Sequence, residues 1–367
     1  MKRSAFLILV ITLIIVAIGV LSIYSSTYQK DGKLWQEIYK RQLLWVIIGL
    51  ALFFILSNSD YRRFLDFTYI LYALIIFLLL LVFILGIVRL GAQRWLKIAW
   101  FNFQPSEFAK LVLVIFLAKY FSRKSVNDIS LLASKFGLWR GLILPFLFVA
   151  IPMGLIVEQP DLGSGMIVFL IFLAMLSLTG VKFRYITILL IILAIPAPLF
   201  WHALRPYQKE RLLVFLNPNI DPLGAGYTII QSKIAIGSGG LFGKGWLSGT
   251  QSQLHFLPES HTDFIFATFA EEWGFLGSAV LLFLYYLIIR EGFRIAQRTQ
   301  DHFGKLLAFG ISLMLAIQIS INIAMNMGFA PVVGVPLPLM SYGGSSIFVN
   351  FIALGILASI SKRRSVF

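Results

Sequence analysis

The chain alternates long apolar runs with short polar breaks. A helix that crosses a bilayer needs about 20 mostly apolar residues, and such runs recur from end to end. Ten are predicted, over residues 5–24, 43–58, 67–87, 105–121, 141–157, 162–180, 185–201, 264–289, 306–328 and 344–360. The pattern predicts an all-α polytopic membrane protein, with residues 1–367 forming a single integral-membrane domain. The longest polar excursion, about residues 202–263, separates the seventh run from the eighth. Loops beyond about 15 residues are usually functional or disordered. This one carries apolar stretches at Tyr227–Ile236 and Leu254–Leu257, which predict that it is partly helical and packed.

The polar residues that interrupt this pattern are concentrated in a few places. In Gln251–Gly274, Glu259, His261, Thr262 and Asp263 stand together just before an apolar run. That places a carboxylate at a membrane surface, and Asp263 is the candidate catalytic residue. QPSEFAK opens the fourth run, with Pro105 suited to a first helical position. Glu107 and Lys110 are three apart on one helical face and can pair, and Lys110 lies deeper than helix capping requires. EQPDLGSG joins the fifth and sixth runs, where Asp161 can cap a helix or join Glu107 and Asp263 in one site. Pro331–Ser345 holds three prolines and three glycines in an apolar stretch. Non-helical backbone at membrane depth is tolerated only against protein or a water-filled cavity, so this segment is predicted to re-enter the bundle. Asn322, Asn326 and Asn350 on the flanking runs suit interhelical hydrogen bonds.

Composition agrees: 59% of residues are hydrophobic and 13% charged, against roughly 25% charged in soluble domains. There is no cysteine, so disulfides and thiolate metal sites are excluded. A net charge of +15 in such a chain points to basic cytoplasmic loops, not to nucleic acid. With both termini inside, the inner segments carry 17 basic residues and the outer ones 12. The outer positives suit an anionic ligand. GSGGLFGKGW, Gly237–Trp246, fails the Walker pattern at Ser238 and Gly245 and the dinucleotide pattern at Phe242. It reads as a flexible turn cluster. His255 and His261 match no zinc spacing. An oxygen-bound Mg²⁺ or Mn²⁺ shared with a phosphate-bearing substrate stays open.

Taken together, GAQRW (Gly91–Trp95), QPSEFAK, EQPDLGSG, FLNP…DPLGAGY, IIQSKIAIGSGGLFGKGW, FLPESHTDFIFA and PVVGVPLPLMSYGGSS resemble the SEDS proteins of shape, elongation, division and sporulation. The resemblance spans essentially the whole chain. It implies a ten-helix peptidoglycan glycosyltransferase of the bacterial cytoplasmic (inner) membrane, polymerising lipid II outside the bilayer and releasing undecaprenyl diphosphate. A class B penicillin-binding protein would be its partner. The family's essential acid falls on Asp263 and its cavity residues on Arg94, Glu107, Lys110 and Asp161. Trp95, Lys233, Lys244, Glu259, His261, Ser341 and Tyr342 complete the candidate substrate-binding set. His255 stands where family members often carry a carboxylate.

The residues suit the implied reaction. An α-linked sugar diphosphate giving a β-linked polymer inverts the anomeric carbon. Inversion needs one base on the incoming hydroxyl, here Asp263, and cations such as Arg94, Lys110, Lys233 or Lys244 on the leaving diphosphate. A flippase for the same lipid is the alternative, since polar residues and broken helices also fit a transporter. A scaffold that only recruits enzymes is a third reading, and it leaves Lys110 and the acids without a role.

Overall fold

The computed structural model describes residues 2–28, 37–89, 92–98, 101–125, 139–179, 181, 183–194, 206–222 and 224–363. Each of the ten apolar runs corresponds to a helix: α1 (Lys2–Thr27), α2 (Ile38–Asn58), α3 (Arg63–Leu85), α4 (Pro105–Ser125), α5 (Leu144–Glu158), α6 (Leu162–Ser177), α7 (Phe183–Ala194), α11 (Ile265–Arg298), α12 (His302–Met327) and α13 (Gly344–Arg363). The end of the seventh run, beyond Ala194, lies outside the described residues. The eighth helix runs on to Arg298, well past the predicted end at 289.

Among the described residues, seven helices are long and apolar enough to cross a membrane by length and composition, α5 being extended to Gly141–Glu158 by the π-helical turn that precedes it. The others depart for local reasons. Helix α6 has only 16 residues. Helix α4 carries Glu107, Lys110 and Lys119. Lys119 is buried, donates to the Leu65 carbonyl and lies over the Tyr69 ring. A charge is tolerated at such depth when it faces a partner rather than lipid.

Helix α13 is the axis of the bundle, with nearly every residue from Gly344 to Ser361 buried. It packs along α2, where Gly49 and Gly355 permit close approach: a side-chain carbon at Gly355 would meet the Phe53 carbonyl oxygen at 3.0 Å. Helices α11, α12 and α4 complete the core.

Two features were not predicted. A three-stranded antiparallel sheet, β1 (Gly86–Arg89), β2 (Ala92–Ile98) and β3 (Phe101–Phe103), fills the break between α3 and α4. It is tied to α13 by the Gln104 amide donating to Ser345 Oγ at 2.9 Å. The long excursion is partly helical as expected, with α8 (Pro206–Leu216), α9 (Ala225–Ser238) and the short α10 (Thr250–Gln253).

The second is the use made of the Gly237–Trp246 cluster: it forms turns, as expected, and these are spliced into α11. That helix breaks at Gly274 (φ 64°, ψ −161°). The Lys244 and Gly245 amides donate to the Glu271 and Glu272 carbonyls at 3.0 Å each. On the other side of the break, the Phe275 and Leu276 amides donate to the Gly240 and Leu241 carbonyls at 2.8 and 3.1 Å. Backbone groups freed by a kink must find partners inside a membrane protein, and the loop supplies them. Side chains reinforce the splice. Buried Glu271 accepts from Lys244 Nζ (2.7 Å), Thr250 Oγ1 (2.9 Å) and the Gln251 amide (3.2 Å). Buried Glu272 accepts from Ser25 Oγ on α1.

Candidate functional site

Asp263 sits on a tight turn at the head of α11. Glu259, at φ 50°, closes it: its carbonyl accepts from the Thr262 and Phe264 amides at 3.1 and 3.2 Å, and its carboxylate from Thr262 Oγ1 at 2.8 Å. Asp263 does not cap α11. The N-cap residue is Phe264, and no side chain caps there. The main chain of Asp263 is held from α12 instead, where Asn322 and Asn326 donate to its carbonyl at 2.9 and 3.0 Å. Asn322 also donates to the Val335 carbonyl at 2.7 Å, so one amide fixes both the acid and the non-helical segment before α13. The interhelical role expected of Asn322 and Asn326 therefore serves the site.

That segment runs without helix from Pro331 to Gly343, with Val335, Leu337, Leu339 and Met340 buried. Ser341 pins it to the turn before α11: its hydroxyl donates to the Thr262 carbonyl at 2.6 Å and accepts from the Leu337 amide at 2.8 Å. The Tyr342 amide donates to the His261 carbonyl at 2.9 Å, and the two rings are 5.8 Å apart. Ser341, Tyr342 and His261 thus join the segment to the turn. Gly334, at φ 69°, brings the segment close to the acid. A side-chain carbon there would lie 3.5 Å from Asp263 Oδ2 and 3.9 Å from Arg94 Nη1. One small group therefore reaches both the acid and the guanidinium.

Arg94 projects from β2, with Trp95 paired opposite Ile87 on β1. The guanidinium donates to the Gln159 and Pro160 carbonyls and lies 3.8 Å from Asp161. Asp161 takes the capping role the sequence offered and also ties α6 to the start of α4. It caps α6 by accepting from the Ser164 amide at 3.1 Å, and it gathers Ser106 Oγ at 2.9 Å and Gln104 Nε2 at 3.3 Å from the start of α4. Glu107 and Lys110 pair at 2.6 Å, both buried, immediately beneath Ser106. Removing one member of such a pair would leave an uncompensated buried charge.

Lys233 is placed farther out. It is exposed on α9, with its stem against Gly328 at the end of α12. Lys244 is placed by Glu271 in the splice, about two helical turns beyond Asp263. His255 is exposed at φ 62°. Arg211 is the contributor that the sequence did not single out. It donates to the Val332 carbonyl at 3.2 Å, and its charge acts on Asp263.

Among the described residues the Asp263 carboxylate accepts no hydrogen bond and forms no ion pair. Its pKa is pushed up to about 7. Burial is the main cause and the Glu259 charge the next, with Asp161 adding to them and Arg211 and Arg94 opposing. A carboxyl whose pKa is raised to about 7 and which feels the charges of Arg94 and Arg211 can take a proton from a hydroxyl beside a bound anion.

Fold and site together define a polytopic membrane protein with an acid–arginine centre at one mouth of its helix bundle. The chain belongs to the FtsW/RodA/SpoVE family of cell cycle proteins, whose family model matches residues 5–366. It is 42% identical over 359 residues to peptidoglycan glycosyltransferase MrdB of Escherichia coli K12, covering 98% of this chain and 93% of that protein. It is 39% identical to stage V sporulation protein E of Bacillus subtilis, covering 97% and 96% of the two chains. A solved peptidoglycan synthase complex, described for its coordination of polymerization and crosslinking, contains a chain that superposes with a TM-score of 0.81 at 33% identity over 98% of each chain. The rod-shape-determining protein RodA of Thermus thermophilus superposes with a TM-score of 0.71 at 28% identity over 98% of this chain and 97% of that one.

Proposed function

We propose that this chain is a peptidoglycan glycosyltransferase that polymerises glycan strands from lipid II during cell elongation and rod-shape maintenance. The observation that carries the chemistry is Asp263, a partly buried carboxyl, raised to about 7, that lies with Arg94 around Gly334. Relatives named as peptidoglycan glycosyltransferases support the substrate class.

The acceptor's sugar hydroxyl approaches the anomeric carbon of the donor from the face opposite its diphosphate. Asp263 takes the hydroxyl proton as the oxygen–carbon bond forms. The bond from the anomeric carbon to the diphosphate oxygen breaks, and its electron pair leaves on undecaprenyl diphosphate. Arg94 and Arg211, whose charges both act on Asp263, would stabilise that charge. Attack from the opposite face inverts the α-linked sugar to a β-linkage, and a diphosphate leaves without a second carboxylic acid. A Mg²⁺ or Mn²⁺ at Asp263 would draw most of its oxygen ligands from the diphosphate, because the described residues bring no three His, Asp or Glu side chains together.

The excess of basic residues on one side, 17 against 12, supports cytoplasmic termini and an Asp263 site on the outer face. Likeness to a chain of a synthase complex supports a class B penicillin-binding protein as partner.

Purified protein should polymerise purified lipid II in detergent, more so with its partner present. Lipid translocation across liposomes without any polymer would establish the flippase reading instead.

A further inference from the structure

Helix α11 carries a second polar feature at the end remote from Asp263. Between the break and that end, its exposed residues are apolar: Phe275, Leu276, Val280, Leu282 and Phe283, with Trp273 exposed just before the break. This is the face that meets lipid, and it stops abruptly. Tyr286 follows, 54% exposed, at the level where tyrosines favour the membrane interface. Arg290, Arg294 and Arg298 come next, one helical turn apart on the same face. Arg290 and Arg298 are exposed and Arg294 half-buried.

The three arginines, with Tyr286, Ile289 and Phe293, line an open groove of about 460 Å³. Phe293 forms its floor, fixed against Phe309 of α12 at 5.0 Å between ring centres. Glu291, on the buried side of α11, pairs with Arg294 at 3.0 Å and holds it. Among the described residues, Arg290 and Arg298 have no carboxylate partner.

Basic residues at a membrane edge often do no more than set orientation. Here they also share one face, stand on an aromatic base and line a groove. Guanidinium groups bind phosphate oxygens in a bidentate fork. They stand immediately past the apolar band, where basic residues on a membrane helix meet the charged lipid surface. We propose that this groove binds the headgroup of an anionic phospholipid in the leaflet opposite the Asp263 site. The proposal stands whether or not the chain makes glycan strands.

The test is native mass spectrometry of the full-length protein released from mixed micelles containing phosphatidylglycerol and phosphatidylcholine in equal amounts. Wild type should retain phosphatidylglycerol preferentially. Each arginine near an anionic surface contributes about 1 kcal/mol, so Arg290→Gln should weaken retention on the order of fivefold. The triple variant with Arg294→Gln and Arg298→Gln should weaken it about a hundredfold on the same basis. Phosphatidylcholine retention should be unchanged in both variants, and the melting temperature unchanged in Arg290→Gln. Arg290→Gln alone serves as the readout if the triple variant melts early.

Equal retention by wild type and Arg290→Gln would overturn the proposal. An equal loss in Arg62→Gln/Arg63→Gln would too, because it would show that any basic residue suffices. Displacement by millimolar inorganic phosphate would assign the groove to a soluble phosphate-bearing ligand instead. Failure of wild type to retain phosphatidylglycerol would leave an acidic protein segment as the occupant.

Discussion

At the scale of single residues, the account rests on how Asp263 is kept both basic and open. Its main chain is gripped by Asn322 and Asn326, while among the described residues its carboxylate accepts no hydrogen bond. Burial and Glu259 hold its pKa near 7, so the basic form gains population as pH rises through neutrality. The polymerisation rate should therefore show an acidic limb with a midpoint near pH 7. Glu259→Gln removes the neighbouring negative charge yet keeps an oxygen for Thr262, and it should move that limb to lower pH. Rate profiles of the two proteins against pH check this, and superimposable limbs would mean that Glu259 does not act on the base. Asp263 was legible in the sequence because a carboxylate, a histidine and a threonine crowd the start of an apolar run. Arg211 was not, because nothing local distinguishes one basic residue in a long excursion until the fold carries it to Val332.

At the scale of elements, the kinked helix α11 and the loop Gly239–Gly245 form one unit. Gly274 has positive φ, and a side-chain carbon there would lie 2.3 Å from the Gly243 nitrogen. Gly274→Ala should destabilise the protein by roughly 1–3 kcal/mol, the usual range for strained backbone. Gly154→Ala on α5 has open space around it and should be neutral or slightly stabilising, since alanine favours helix. Melting curves in detergent distinguish the two, and equal melting temperatures would mean that the loop is not spliced as described. Sequence could not show this unit. The buried Glu271 finds Lys244 27 residues upstream, and hydrophobic periodicity reports only on neighbours within a turn or two. The small sheet escaped for a related reason: strands of three to seven residues between two long apolar runs leave almost no periodic signal. The pairing of Glu107 with Lys110 was legible because it is local, three apart on one helix.

At the scale of the whole molecule, the ten apolar runs were legible because membrane helices must satisfy their backbone internally and face lipid. The site is a product of the assembled bundle. Strand β2 brings Arg94, the start of α6 brings Asp161, the turn before α11 brings Asp263, and the segment before α13 closes over them at Gly334. The central claim is that this assembly makes Asp263 the base of glycan polymerisation. The most direct measurement is glycan chain formation from lipid II by wild type and Asp263→Asn at equal folded concentration. Asparagine keeps the size and removes the basicity. If Asp263 is the base, the rate should fall by about 10²–10⁴-fold, the usual contribution of a general base, with lipid II binding retained. Polymer formed by the asparagine variant at close to the wild-type rate would contradict that role.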